Sequence, residues 1–275
     1  MKIALLQVAS PETESIADRR ERVAQMVRTA AGADLIVLPE LWAVGYFAFD
    51  DYEARAESQQ GPTVKLMASL AREVNSHLHL GSFVERLGDG SICNTSILLD
   101  PAGEIVHSYS KIHVFGYKSK ESQLLKAGTR VSVADSAFGP VSGTTCYDLR
   151  FPELWRQIVD LGAEIVIVPA AWPAARREHW KLFTSVRAVE EQVIIIACNA
   201  VGSQAGAELG GTSRVVDPWG AVLVEAGDAE GITYCDIDPG IVATVRKEFP
   251  VLGDRLPSYD GLGSTTVPSY QRNLP

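Results

Sequence analysis

Cysteine is scarce. Four occur in 275 residues, Cys93, Cys146, Cys198 and Cys235, and no two form a C-x-x-C pair. That excludes a zinc knuckle and a thioredoxin-type redox site. Basic charge is also short: 25 Lys and Arg stand against 34 Asp and Glu, for a formal charge of −9. Phosphate backbones call for clustered Lys and Arg, so no nucleic-acid partner is expected. No run reaches the ~20 apolar residues that span a bilayer, so no membrane partner is expected either. The opening run from Met1 to Ala9 is short and broken by Gln7, and reads as a first strand rather than a signal peptide. A reduced, cytoplasmic compartment without structural disulfides is the expectation. No G-x-G-x-x-G follows that strand, which removes the dinucleotide-binding reading. The five His are scattered, with no ligand cluster for a metal, and no cofactor is expected.

What remains is ordinary globular usage, 46% apolar and 21% charged, in a chain long enough for one large domain or at most two. Short β-branched runs alternate with amphipathic stretches. Strands are predicted over 3–8, 35–38, 78–85, 91–100 and 104–110, with helices over 15–31 and 63–75. In the second half strands are predicted near 131–134, 141–146, 165–168, 193–199 and 232–236. Two more flank Asp217-Pro218-Trp219-Gly220, and helices are predicted over 153–161, 178–191 and 240–248.

The order contains an internal repeat. Ala33-Asp34-Leu35-Ile36-Val37-Leu38-Pro39-Glu40-Leu41-Trp42 matches Ala163-Glu164-Ile165-Val166-Ile167-Val168-Pro169-Ala170-Ala171-Trp172. Further on, Asn94-Thr95-Ser96-Ile97-Leu98-Leu99-Asp100-Pro101-Ala102-Gly103 matches Gly211-Thr212-Ser213-Arg214-Val215-Val216-Asp217-Pro218-Trp219-Gly220 in the same order. The offsets are too long for a solenoid. Two related α/β halves with helices outside two facing sheets predict a four-layer α-β-β-α sandwich. Residues 1–249 are read as one domain. From Pro250 the chain is punctuated by Pro and Gly without periodicity, and 250–275 is read as an extended tail that packs on a partner subunit or stays partly disordered.

Three of the cysteines, Cys93, Cys198 and Cys235, lie in apolar runs and read as core filler. Cys146 sits where a strand-like run gives way to a helix-like one. A thiol at such a corner is expected to be exposed at the sheet edge, with the nearby helix N-terminus favouring a thiolate. Two other polar residues end strand-like runs. Glu40 is flanked by Pro39, Leu41 and Trp42, and partial desolvation should raise its pKa towards the range of a general base. Lys111, taken alone, reads as a solvated surface charge.

Together these segments resemble the nitrilase superfamily of carbon–nitrogen hydrolases. Leu38-Pro39-Glu40, Ser110-Lys111-Ile112-His113 and Thr145-Cys146-Tyr147-Asp148-Leu149-Arg150-Phe151-Pro152-Glu153 match the family's Glu-Lys-Cys motifs in order and spacing. The resemblance extends over Trp172-Pro173, Arg176, His179-Trp180, Arg187–Gln192 and Ser213–Gly220. It implies the αββα fold, Cys146 as nucleophile, Glu40 as general base, Lys111 and the Tyr147 N–H as oxyanion donors, and Glu121 as a second catalytic carboxylate. The implied substrate is a small linear amide, aliphatic or an ω-amide of a short dicarboxylic acid, hydrolysed through a thioester. Nitrilase or N-carbamoyl hydrolase activity is the alternative on the same scaffold, and a non-catalytic interaction protein the alternative outside it. The Cys-Tyr-Asp-Leu-Arg run looks like the amidase branches, whereas nitrile-cleaving relatives carry Cys-Trp-Glu. Asp148 and Arg150 are read as structural, pinning the corner through ion pairs. Tyr46, Tyr147, Ala171 and Trp172 are expected to bind substrate, with Phe47 and Phe49 shaping the pocket or simply packing. Arg176 and Arg177 either anchor a substrate carboxylate or supply charge at a helix start, and the second reading is preferred. His179 is expected to pack with Trp180. The resemblance also implies a homodimer or larger assembly through 151–161 and 179–191.

Overall fold

The structure, a computed structural model, describes residues 1–256, 258 and 261–263. In chain order the first half runs β1 (Lys2–Gln7), α1 (Ile16–Thr29), β2 (Leu35–Val37), α2 (Tyr52–Arg55), α3 (Pro62–Val74), β3 (His77–Arg86), β4 (Ile92–Leu99) and β5 (Ile105–Ser110). The second continues with α4 (Glu121–Leu124), β6 (Ala134–Ser136), β7 (Gly139–Gly143), a 3-10 turn Cys146–Arg150, α5 (Pro152–Asp160), β8 (Ile165–Ala170), α6 (Arg177–Glu191) and β9 (Ile194–Asn199). A hairpin of β10 (Val201–Gln204) and β11 (Ala207–Gly210) precedes β12 (Arg214–Val216), β13 (Val222–Glu225), β14 (Gly231–Asp236) and α7 (Ile241–Glu248).

The repeat read in the sequence is a repeat of topology. One six-stranded sheet is ordered β14-β1-β2-β3-β4-β5 and the other β6-β7-β8-β9-β12-β13. In each, an antiparallel pair is followed by two parallel and two antiparallel pairings. Hence β2 corresponds to β8 and β4 to β12, the strands of the two sequence matches.

Strand alternation sends successive side chains to different layers. Ile36 and Leu38 pack with Val23, Val27, Met67 and Leu70 of α1 and α3. Leu35 and Val37 face the other way, into the seam between the sheets, where they share a cluster with Ile165, Ile167, Ile194 and Ile196. Val166 and Val168 pack with Trp155, Ile158 and Trp180 of α5 and α6. Three apolar layers separate four layers of secondary structure, as the duplication predicts. The helices are bounded by ordinary signals. Ser15 Oγ caps α1 by accepting from Asp18 N at 3.1 Å, and proline opens α3 and α5 at Pro62 and Pro152, where its missing N–H is no loss.

Differences from the predicted elements are local. The strand expected at 131–134 begins at Ala134 as β6, because Val131 and Val133 pack instead against the α5–α6 cluster. β7 ends at Gly143, and Cys146 opens the 3-10 turn instead of ending a strand. Four-residue helices α2 and α4 are too short to show a helical period, and the β10–β11 hairpin carries polar and Gly residues without a clean alternation. Most of the expected tail lies outside the described residues; within them, Val251–Asp254 forms a 3-10 turn. No helix among the described residues is long and apolar enough to cross a membrane.

Candidate active site

Glu40 stands on the turn that leaves β2. The turn bends sharply, with Leu41 at φ 48°, and is held by Leu41 N donating to Ser82 Oγ at 3.0 Å. Glu40 N points to Ala170 O at 3.4 Å, and Ala171 N donates to Glu40 Oε2 at 2.8 Å. Ala170 is the repeat counterpart of Glu40, so the corresponding loops of the two halves meet where the carboxylate is placed. Lys111 follows β5, its N–H donating to Asn94 O at 2.8 Å. Glu121 opens α4 and is buried.

Cys146 is the first residue of its 3-10 turn and sits at φ 49°, in the left-handed region that non-glycine residues occupy at a cost of about 1–3 kcal/mol. Asp148 holds that conformation from below. It accepts from Thr145 N at 3.0 Å, Tyr109 Oη at 2.8 Å, His113 N at 2.9 Å and His113 Nδ1 at 2.8 Å.

The four side chains form one buried network. Lys111 Nζ donates to Glu40 Oε1 at 2.9 Å and to Glu121 Oε1 at 2.8 Å. Cys146 lies within reach of the charge on the Glu40 carboxylate. Asn94 Nδ2 donates to Glu40 Oε1 at 2.8 Å and reaches Glu121 Oε1 at 3.5 Å. Tyr46 Oη donates to Glu121 Oε2 at 2.8 Å, while the Lys111 ammonium lies 5.6 Å from the Tyr46 ring centroid.

The electrostatics follow from burial and charge. Burial pushes the Glu40 carboxyl up, with Lys111 opposing and the Glu121 charge adding to the rise. Burial works to lower the Lys111 ammonium, but Glu121 and Glu40 outweigh it and hold it well above its ordinary value. Burial and the adjacent Glu40 charge push the Cys146 thiol well up. Cys146 is 8% exposed. An exposed corner favouring a thiolate is therefore corrected: the residue is buried and rests as a thiol, because burial and the charge of Glu40 both oppose the thiolate.

A cavity of about 280 Å³ opens above Cys146, and Tyr46, Tyr147, Ala171 and Trp172 all line it, with Phe47. Phe49 stands behind, edge-on to Tyr46 at 5.8 Å. Arg176 lines the cavity, whereas Arg177 Nε donates to Gly210 O at 3.0 Å and ties α6 to the hairpin. Two readings of the corner are corrected. Asp148 pairs with His113, but Arg150 makes no ion pair among the described residues. Its guanidinium lies 4.8 Å from the Trp172 ring centroid and 5.1 Å from that of Phe183, because those rings crowd the space above the turn. His179 contacts Arg150 and Phe183, while Trp180 turns inward and donates to Thr212 O at 2.8 Å. Sequence reasoning passed over Asn94, whose only signal was its place at the head of the second repeat match.

The carbon-nitrogen hydrolase family profile matches residues 2–247. The chain is 35% identical over 278 residues to a 2-oxoglutaramate amidase of Paenarthrobacter nicotinovorans, covering 98% of this chain and 95% of the relative. Nit3 of Saccharomyces cerevisiae, described as a member of branch 10 of the nitrilase superfamily, superposes with a TM-score of 0.83 at 29% identity, covering 91% of this chain and 94% of that one. An amidase from Nesterenkonia sp. AN1, in a form described as carrying acrylamide added at its active-site cysteine, superposes with a TM-score of 0.79 at 26% identity, covering 92% of this chain and 99% of that one. The chain belongs to the carbon–nitrogen hydrolases of the nitrilase superfamily.

Proposed function

We propose that the protein hydrolyses small linear amides, ω-amides of short dicarboxylic acids among them, to a carboxylate and ammonia with Cys146 as nucleophile. The observation that carries this reading is Cys146 on the floor of an open cavity, its thiol acted on by the charge of Glu40, which is itself joined to Lys111 at 2.9 Å. A resting thiol is a poor nucleophile and needs a base within reach. Glu40 takes the thiol proton as Sγ attacks the amide carbon. The Lys111 ammonium and the Tyr147 N–H, in the first turn of a 3-10 helix where leading N–H groups lack intrahelical acceptors, receive the oxyanion. One such donor is worth about 3–4 kcal/mol in the transition state. Glu40 returns the proton to nitrogen, the C–N bond breaks and ammonia leaves. Water, deprotonated by Glu40, then attacks the thioester and restores the thiol. Glu121 keeps Lys111 charged and oriented.

The amidase names of its relatives support an amide over a nitrile. Thiol chemistry of this kind suits a reducing compartment, in keeping with a cytoplasmic placement, and α5 and α6 are the surface on which a second copy would dock. Ammonia release from short aliphatic and ω-amides tests the reading. Cys146→Ala should abolish release while circular dichroism stays native, and intact mass should find an acyl adduct on the wild type alone. Undiminished turnover in the variant would sink the mechanism, and turnover confined to nitriles or N-carbamoyl compounds would replace the substrate class.

A further inference from the structure

Glu40 is aimed by two kinds of partner. Its Oε1 accepts from the side chains of Lys111 and Asn94, whereas Oε2 accepts from a backbone N–H, that of Ala171, at 2.8 Å. Donors on Oε1 alone leave a carboxylate free to turn, and the second oxygen fixes its plane. A backbone N–H is only as well placed as the turn that carries it, and this turn is gripped from β9. Asn199, at the end of β9, is 0% exposed. Its Oδ1 accepts from Trp172 N at 2.7 Å, and its Nδ2 donates to Trp172 O at 3.2 Å and to Gly211 O at 2.8 Å. A carboxamide that pairs with both the N–H and the C=O of one residue stands in for a neighbouring strand. The next residue completes the grip. Ala200 N donates to Ala170 O at 2.9 Å, the carbonyl of the same peptide that offers its N–H to Glu40. Asn199 is itself fixed, because its N–H donates to Ser213 Oγ at 2.9 Å and Ser213 N donates to Gln7 Oε1 at 2.8 Å. In the first half Ser82 Oγ pins the Glu40 turn in the matching way, from β3, the counterpart of β9.

We propose that Asn199 is a positioning residue for the reaction: by gripping the 170–172 turn it holds the Ala171 N–H against Glu40 Oε2 and so aims the general base at the thiol. The proposal rests on the reading of Glu40 as the base and extends it to a residue that does not line the cavity. An N–H that donates to a charged carboxylate favours its ionisation, so a loosened turn also moves the ionisation of Glu40 to higher pH. The same grip sets the Trp172 ring in the cavity wall. The two consequences separate kinetically, because a lost aim lowers kcat and a lost wall raises KM.

The test measures kcat, KM and the acid limb of kcat/KM for a short aliphatic amide in the wild type, Asn199→Ala, Asn199→Ser and Ser76→Ala. Ser76 is buried and donates to Ala33 O at 2.7 Å, at the end of β2 remote from Glu40, and controls for lost stability. In Asn199→Ala kcat should fall about 10-fold or more, KM should change by less than about 2-fold, and the acid limb should move to higher pH. Asn199→Ser, neutral and smaller, should show the same pattern and stands in if alanine does not fold. A limb that stays in place, a loss that falls on KM, or a loss that Ser76→Ala matches at equal denaturation midpoint would overturn the proposal. So would failure of both Asn199 variants to fold, since Asn199 would then hold the fold and not the base. Alkylation of Cys146 by iodoacetamide, followed by intact mass with Cys146→Ala as the blank, separates this from the parent reading because it needs no turnover. A wild type that releases no ammonia from any amide, but whose alkylation limb moves up in Asn199→Ala, would keep the positioning role and sink the amidase. An active amidase whose alkylation limb is unmoved would sink the positioning role alone.

Discussion

Glu40 must be ionised to accept the thiol proton, and the sign of its pH dependence follows. Its folded pKa is raised by burial, so the competent form is present above that raised value and is lost as pH falls through it. The acid limb of kcat/KM should therefore lie above the ordinary carboxylate range. Asn94 Nδ2 donates to the charged form at 2.8 Å, which favours ionisation. Replacing Asn94 with Ala removes that donor, and the acid limb should move to higher pH. A pH–rate profile that falls in height without moving would show that Asn94 supports the fold and not the charge on Glu40. Lys111 illustrates what single residues conceal. A lysine at the end of a strand reads as surface charge, yet this one is 1% exposed. Only the match of three separated motifs to a known family marks it, since nothing local to the sequence reveals that Glu40 and Glu121 will converge on its ammonium. Arg150 lay in the same motif and was read as an ion-pair partner, because sequence shows the charge but not the aromatic rings that displace its partner.

At the scale of elements, the site depends on β3 yielding to the Glu40 turn. β3 slips register against β4 between His79 and Ser82, and Gly81 lies in that slip at φ +73°. A Cβ there would stand 1.9 Å from Pro39 O, a backbone atom that cannot swing aside. Gly81→Ala should destabilise the protein by about 3 kcal/mol or more and displace Glu40 along with its turn. Gly162, at φ +95° with nothing within 4 Å of its Cβ, is the control. Alanine there carries only the conformational penalty of about 1–2 kcal/mol, and activity should survive. Chemical denaturation with parallel ammonia assays checks both. Equal losses at the two positions would mean that the contact with Pro39 carries no weight. The strongly patterned α1, α6 and β8 and the continuous apolar run of β2 were legible, and so was the pairing of the halves, because duplication copies hydrophobic pattern and topology together. The short α2 and α4 and the β10–β11 hairpin were not, although α4 carries Glu121. α4 is held by tertiary contacts to Glu121 from Tyr46 and Lys111.

For the whole molecule, the outer surface of the second half remains to be covered. On α6, Leu182 and Val189 are 58% and 48% exposed, and their seven-residue spacing puts them on one helical face. Trp219 and Phe249, also exposed, stack 6.2 Å apart, and Val189 Cγ2 lies beside Gly220, so the apolar surface continues from the helix onto the β12–β13 turn. Monomers seldom leave such a surface open to water, and a patch on one face that matches itself through a two-fold axis gives a closed dimer. The wild type should sediment at twice its 29.7 kDa chain mass. Leu182→Glu with Val189→Glu should sediment as a monomer, since burying four like charges across the axis is prohibitive. The α6 core face, with Trp180 and Ala188 buried, is untouched by these changes, so the monomer should stay folded. A wild type that sediments as a monomer, or a double variant that stays dimeric, would exclude this face as the interface. Arg150 and His179 contact each other where the 3-10 turn meets the start of this helix. Loss of the partner should therefore disturb the cavity wall at Arg150 and lower kcat/KM for ammonia release, and unchanged kinetics in a proven monomer would show that the cavity stands without dimer support.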